Sequence, residues 1–124
     1  MRSFKDLKVW HKAHRLVLDV YRHSREFPPD ERFGLTSHLR KSATSIPSNI
    51  AENCGRESEK ELSRFLSIAA GSASESEYQL LHAHDLKYLS NEEFDHLNNL
   101  VTEVKRMLYS LIQTVSSSKP QADS

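Results

Sequence analysis

The chain has 124 residues but only one cysteine, three glycines and four prolines, and its formal charge is zero. Each shortage excludes something. A lone Cys54 cannot supply an internal disulfide framework. So few glycines and prolines leave too little punctuation for a many-stranded β protein, which makes an all-α fold the expectation. No apolar run approaches the roughly 20 residues needed to cross a bilayer, and the amino terminus lacks the apolar stretch of a signal peptide. A cytoplasmic protein without a membrane partner is expected. The chain also has no Gly-x-Ser-x-Gly elbow and no glycine-rich phosphate loop, and Cys54 falls on an apolar stripe, where cysteine is usually a small core residue. No enzyme, catalytic residue or cofactor is therefore expected.

What the sequence does contain is helical periodicity. Leu35, Leu39, Ser42, Ile46, Ile50 and Cys54 recur at steps of three or four, the period of one helix face. Pro47 interrupts this pattern one residue off the stripe. A proline there removes the hydrogen bond to the Ala43 carbonyl at a cost of about 3 kcal/mol unless neighbours compensate. Ser45, Ser48 and Asn49 can donate to loosened carbonyls or to an adjacent helix. The expectation is one kinked helix, with Ser45, Pro47, Ser48, Asn49 and Glu52 as candidate kink and interface positions. Asn49 has two readings: a buried amide fixing register or an oligomer interface, or a group satisfying its own helix.

Taken in order, Ser3 and Asp6 predict a capped helix from near Phe4, with a stripe of Leu7, Trp10, Val17, Val20, Tyr21 and Ser24. Pro28, Pro29 and Asp30 stop it and start the second helix, which Gly55 should end. Ser58 with Glu61, and Ser90 with Glu93, read as capping boxes for two more. The predicted helices cover about 4–26, 30–54, 58–88 and 91–115, forming one domain over 1–115 with a disordered tail at 116–124. Short connections between long helices force antiparallel neighbours, hence an up-down-up-down four-helix bundle. Folding the second and third helices back about Arg56 sets Ser42-Ala43-Thr44 against Ala69-Ala70-Gly71, so that a leucine at Gly71 should sharply lower stability.

The zero net charge hides an asymmetry. Residues 1–56 hold 11 Lys and Arg against 6 Asp and Glu, and residues 57–124 hold 6 against 11. Lys5, Lys8, Lys12, Arg15 and Arg22 lie on one side of the first helix, interrupted by Asp19. With Arg40, Lys41 and Arg56 they form a candidate nucleic-acid face on the first two helices. Seven histidines raise the question of metal. Glu93-x-x-His96 has the spacing of a di-metal bundle motif but no second copy, and the pairs His11/His14 and His82/His84 lack further ligands. No metal site is expected.

Several segments together carry a family resemblance: Phe4-Lys5-Asp6-Leu7-Lys8-Val9-Trp10, Phe27-Pro28, Glu31-Arg32-Phe33-Gly34-Leu35, Leu39-Arg40, Ser45-Ile46-Pro47-Ser48-Asn49-Ile50-Ala51-Glu52, Gly55-Arg56 and Phe65-Leu66-x-Ile68-Ala69-x-Gly71-Ser72. Over roughly residues 4–112 the chain resembles the bacterial four-helix-bundle proteins encoded in intervening sequences of 23S ribosomal RNA genes, the S23 ribosomal protein family. That label reflects where the genes were found. The resemblance implies a ring-like homopentamer and no enzymatic activity. It extends to the accessory variability protein of diversity-generating retroelements, a basic pentameric barrel that binds nucleic acid and a reverse transcriptase. Two departures stand out: Asn53 replaces the usual glycine after Ala51-Glu52, and this chain is neutral overall. Two readings follow. One is an oligomer binding structured RNA or DNA by phosphate neutralisation. The other is a self-associating scaffold for an unknown protein partner, in which the basic half of one subunit meets the acidic half of the next.

Overall fold

A computed structural model describes residues 3–54 and 58–117. Among them there are four α-helices and no strand: α1 (Lys8–Ser24), α2 (Leu35–Asn53), α3 (Glu59–Asp85) and α4 (Asn91–Ser117). Each helix packs antiparallel on the next, and α1 closes the bundle against α4. Hydrogen bonds fix the directions. Ser45 meets Ser72 and Ser42 meets Ser76 between α2 and α3. Glu77 meets Lys105 between α3 and α4, and Asp19 meets His96 between α1 and α4.

The first helix differs from expectation in both start and facing. Ser3 caps a single 3₁₀ turn at Phe4–Asp6, its Oγ accepting from the Lys5 N–H and its carbonyl from the Asp6 N–H. The chain then extends at Leu7 (φ −97°, ψ 124°) before α1 begins. The apolar face α1 buries is Val9, Ala13, Leu16, Val20 and Ser24, so that Val20 and Ser24 of the expected stripe are buried and its other members lie to one side. Leu7, Trp10 and Val17 flank it half-buried, and Tyr21 is exposed.

The second helix also starts late. Pro29–Glu31 form a 3₁₀ turn, and α2 begins at Leu35. Its first N–H is held by Glu31, not Asp30: the Leu35 N–H donates to Glu31 Oε1 at 3.0 Å. Gly34 makes this possible, because a Cβ there would lie 2.8 Å from the same oxygen. The helix runs unbroken through Pro47 to Asn53, and its whole expected stripe is buried except half-buried Cys54. Asn53 is the last, buried helical residue rather than a left-handed terminator, and Cys54 also stays right-handed. Gly55 and Arg56 lie outside the described residues.

Both remaining caps form as expected. Ser58 Oγ accepts from the Glu61 N–H at 3.1 Å. At α4 the exchange is mutual: the Glu93 N–H donates to Ser90 Oγ and the Ser90 N–H to Glu93 Oε1. That second bond is the main reason the Glu93 carboxyl is held below the usual range. Helix α4 runs through Ser117, two residues into the expected tail, and 118–124 lie outside the described residues.

The α2–α3 register is shifted from the expected one. Ser42 and Ser45 face Ser76 and Ser72, not Ala69-Ala70-Gly71. Small residues still meet across the seam, but Gly71 points outward, where an added Cβ would meet nothing within 4 Å. The expected loss of stability from a leucine at Gly71 therefore has no basis within one chain. None of the described helices is long and apolar enough to cross a membrane.

Candidate nucleic-acid interface

Lys8, Lys12, Arg15 and Arg22 share one edge of α1, the edge that borders α4. The acid that interrupts them in sequence leaves the surface. Asp19 is 4% exposed. Its carboxylate accepts from His96 at 2.7 Å and pairs with Arg22 at 3.1 Å. Turning one carboxylate inward both ties α1 to α4 and leaves the row of cations continuous outside. Lys8 and Arg15 are exposed with no carboxylate within ion-pair distance among the described residues. Lys12 is half-buried within the field of Glu103, which is itself paired with Arg106. Lys5 precedes α1 and extends over the Phe4 ring, 6.0 Å from its centroid.

Arg40 and Lys41 do not join this edge. They belong to α2 and lie on the opposite flank of α1, beside Tyr21. The expected single basic face on the first two helices is thus divided by α1 itself, because the contacts of α1 with α2 and with α4 fall on opposite sides. Arg40 is moreover committed to the fold. It donates to Ser24 Oγ at 2.8 Å and to the Tyr21 carbonyl at 3.5 Å, and its guanidinium lies 4.6 Å over the Tyr21 ring. A cation there also suits the negative end of α1.

The positions around Pro47 mostly serve α2 itself. The Asn49 amide donates to the Ser45 carbonyl at 2.8 Å and to Ser45 Oγ at 2.9 Å, so its second reading, self-satisfaction within α2, is the one the geometry supports. Ser45 passes the connection on to Ser72 of α3 at 2.8 Å. Pro47 is buried, while Ser48 and Glu52 are exposed.

The histidines are dispersed among local partners. His11 contacts the Lys5 carbonyl, His14 stacks on Trp10 and His84 contacts Asn91. Glu93 and His96 look in different directions, to Ser90 with His23 and to Asp19 respectively. Among the described residues no three His, Cys, Asp or Glu side chains are grouped to hold a metal ion.

Two features escaped the sequence reading. One is a groove of about 650 Å³ between α1 and α2, with Arg32, Phe33 and Lys41 at its rim. The other is the outward side of α3, where Tyr78 and Leu81 are exposed on adjoining turns and Ile68 and the open Gly71 are exposed about two to three turns earlier.

Fold and surface together define a small antiparallel helical bundle that carries its cations on two flanks of its first helix. The chain belongs to the family of 23S rRNA-intervening sequence proteins, whose profile matches residues 5–110. Among solved structures it is similar to a protein of unknown function from the S23 ribosomal protein family of Bacteroides thetaiotaomicron VPI-5482. The two are 26% identical with a TM-score of 0.78, over 85% of this chain and 95% of that one. No curated protein matches the chain.

Proposed function

We propose that this protein is a non-catalytic, self-associating bundle that binds structured RNA or another nucleic acid along the α1 edge bordering α4. The observation that carries the reading is the inward turn of Asp19, which leaves Lys8, Lys12, Arg15 and Arg22 in an uninterrupted row. Side chains spaced by about one turn from Lys8 to Arg15 and by about two turns on to Arg22, all on one edge, can follow a phosphate backbone without reading bases. Affinity then comes from counterion release and shows little sequence preference. Lys5 extends the row, and Arg106 of α4, 68% exposed, stands beside its Lys8 end.

Self-association is supported by the outer face of α3. Tyr78 is 62% exposed there, about one turn from exposed Leu81, with Ile68 exposed nearly three turns earlier, apolar surface on the solvent side of one helix. Five copies in a ring is the arrangement the family resemblance implies. Tyr78→Glu with Leu81→Glu should convert the assembly to monomers of unchanged helicity in native mass spectrometry.

The nucleic-acid reading is tested by fluorescence anisotropy with a labelled RNA hairpin. Lys8→Glu with Arg15→Glu should abolish binding near physiological salt while circular dichroism stays unchanged, since both side chains are exposed. Even Lys8→Ala with Arg15→Ala should flatten the slope of log K against log salt by about 1.8, two phosphate contacts at roughly 0.9 each. Undiminished affinity in the charge-reversed protein would leave the scaffold reading in its place.

A further inference from the structure

The groove between α1 and α2 lies on the flank of α1 away from the basic row, and its chemistry differs from that of the row. Its lining includes no Asp or Glu. Arg32 and Lys41 are exposed at its rim, and neither has a carboxylate within ion-pair distance among the described residues. Phe33 is 84% exposed, an extreme value for a phenylalanine, with the Arg32 guanidinium 5.2 Å from its ring centroid. Across the groove Tyr21 presents a second ring backed by Arg40. The wall between them is hydroxylic, and one hydroxyl there, Thr44 Oγ1, is buried with no hydrogen-bond partner.

We infer that this groove takes an unpaired nucleotide of a single-stranded segment, with the base stacked on Phe33 and the phosphate at Lys41 and Arg32. Each part of that ligand answers an observation. An open ring with a guanidinium beside it is a stacking platform that accepts any base. Two exposed cations with no carboxylate within ion-pair distance among the described residues answer an anion. The volume is within the range of small-ligand sites, and a base inside a duplex cannot reach Phe33 without being unpaired. The inference rests on the nucleic-acid reading above and adds to it a preference for unpaired RNA, read on a separate flank.

The test compares two labelled probes, a U-rich single strand of about 12 nucleotides and a blunt RNA duplex of equal length, by anisotropy at one salt concentration, with native mass spectrometry of every variant. Phe33→Ala should weaken single-strand binding about tenfold, within the range for loss of one stacked base, and change duplex binding less than twofold. Lys41→Ala should weaken the single strand alone. Phe33 is too exposed for its removal to unfold the bundle, so a fold defect cannot mimic the result. Equal effects of Phe33→Ala on both probes, or none on either, would overturn the inference while leaving the basic-edge reading intact. Loss of assembly mass in Phe33→Ala would overturn it in favour of a contact between copies of the chain. Failure of the parent protein to bind either probe would overturn both readings.

Discussion

Lys87 adopts φ 69°, the only non-glycine among the described residues in the left-handed region. The end of α3 requires it. The Tyr88 N–H reaches back to the Ala83 carbonyl and the Lys87 N–H to the His84 carbonyl, both at 2.9 Å, the paired bonds of a Schellman ending whose central position is normally glycine. A side chain in that conformation costs about 1–2 kcal/mol, partly offset by the smaller unfolded-state entropy of a non-glycine residue. Lys87→Gly should therefore raise stability by about 0.5–1 kcal/mol, read as a higher urea midpoint at unchanged slope. A lower midpoint would show that the lysine stem packs usefully over α3. The same scale explains what a residue-by-residue reading missed in α1. Trp10 and Tyr21 carry the most apolar surface and pulled the expected stripe towards themselves. The structure keeps them at the flank, Trp10 between Phe4 and His14 and Tyr21 under Arg40, and gives the centre to Val9, Ala13 and Leu16. Amphipathic rings favour such edges, and periodicity alone cannot tell an edge from a centre. Asp19 was equally opaque, since His96, which draws it inward, lies 77 positions away.

At the scale of elements, Glu31 holds three pieces of the bundle together. One carboxylate oxygen caps α2 through the Leu35 N–H, and the other accepts from the Tyr88 hydroxyl at 2.9 Å, in the turn between α3 and α4. These donors, the Leu35 N–H foremost, hold the Glu31 carboxyl below the usual range, and Glu31 in turn pushes the Tyr88 hydroxyl up. A depressed carboxyl pKa contributes stability above the ordinary glutamate range and loses it as pH falls through the depressed value. Glu93 is depressed in the same direction by its cap on Ser90. The melting temperature should accordingly fall as the medium is acidified below the ordinary glutamate range, and Glu31→Gln with Glu93→Gln should flatten that fall. Gly34→Ala should lower the melting temperature by displacing the Glu31 cap and have little effect in a Glu31→Ala background. The capping boxes of α3 and α4 were legible because each is written within four residues. This cap was not, because its acceptor is a side chain admitted only by a neighbouring glycine. The α2–α3 register was missed for a related reason: it depends on the connection after Cys54, whose geometry no periodicity encodes. That register places Ser42 Oγ within 2.8 Å of Ser76 Oγ and 2.5 Å of Gln79 Oε1, all buried. Ser42→Ala should cost about 1–3 kcal/mol by stranding the Gln79 oxygen, and Ser76→Ala should add less to it than it costs alone.

For the whole molecule, the decisive feature is that α1 stands between two cationic flanks, one shared with α4 and one with α2. A helix with its side chains is about 10–12 Å across, so the flanks are far enough apart to act independently. Separated sites change binding free energy additively to within about 0.5 kcal/mol. An RNA duplex with a single-stranded tail could engage both flanks at once, whereas a blunt duplex could engage only the α4 side. On the tailed probe, Phe33→Ala and Lys8→Ala should each weaken binding, and the double variant should lose the product of the two factors. On the blunt duplex the double variant should match Lys8→Ala alone. Only the Lys8 change should reduce the salt slope, because stacking releases no counterions and phosphate neutralisation does. Equal salt slopes for the two single variants would mean that both residues report on one continuous phosphate-binding surface, and the division of labour across α1 would be wrong.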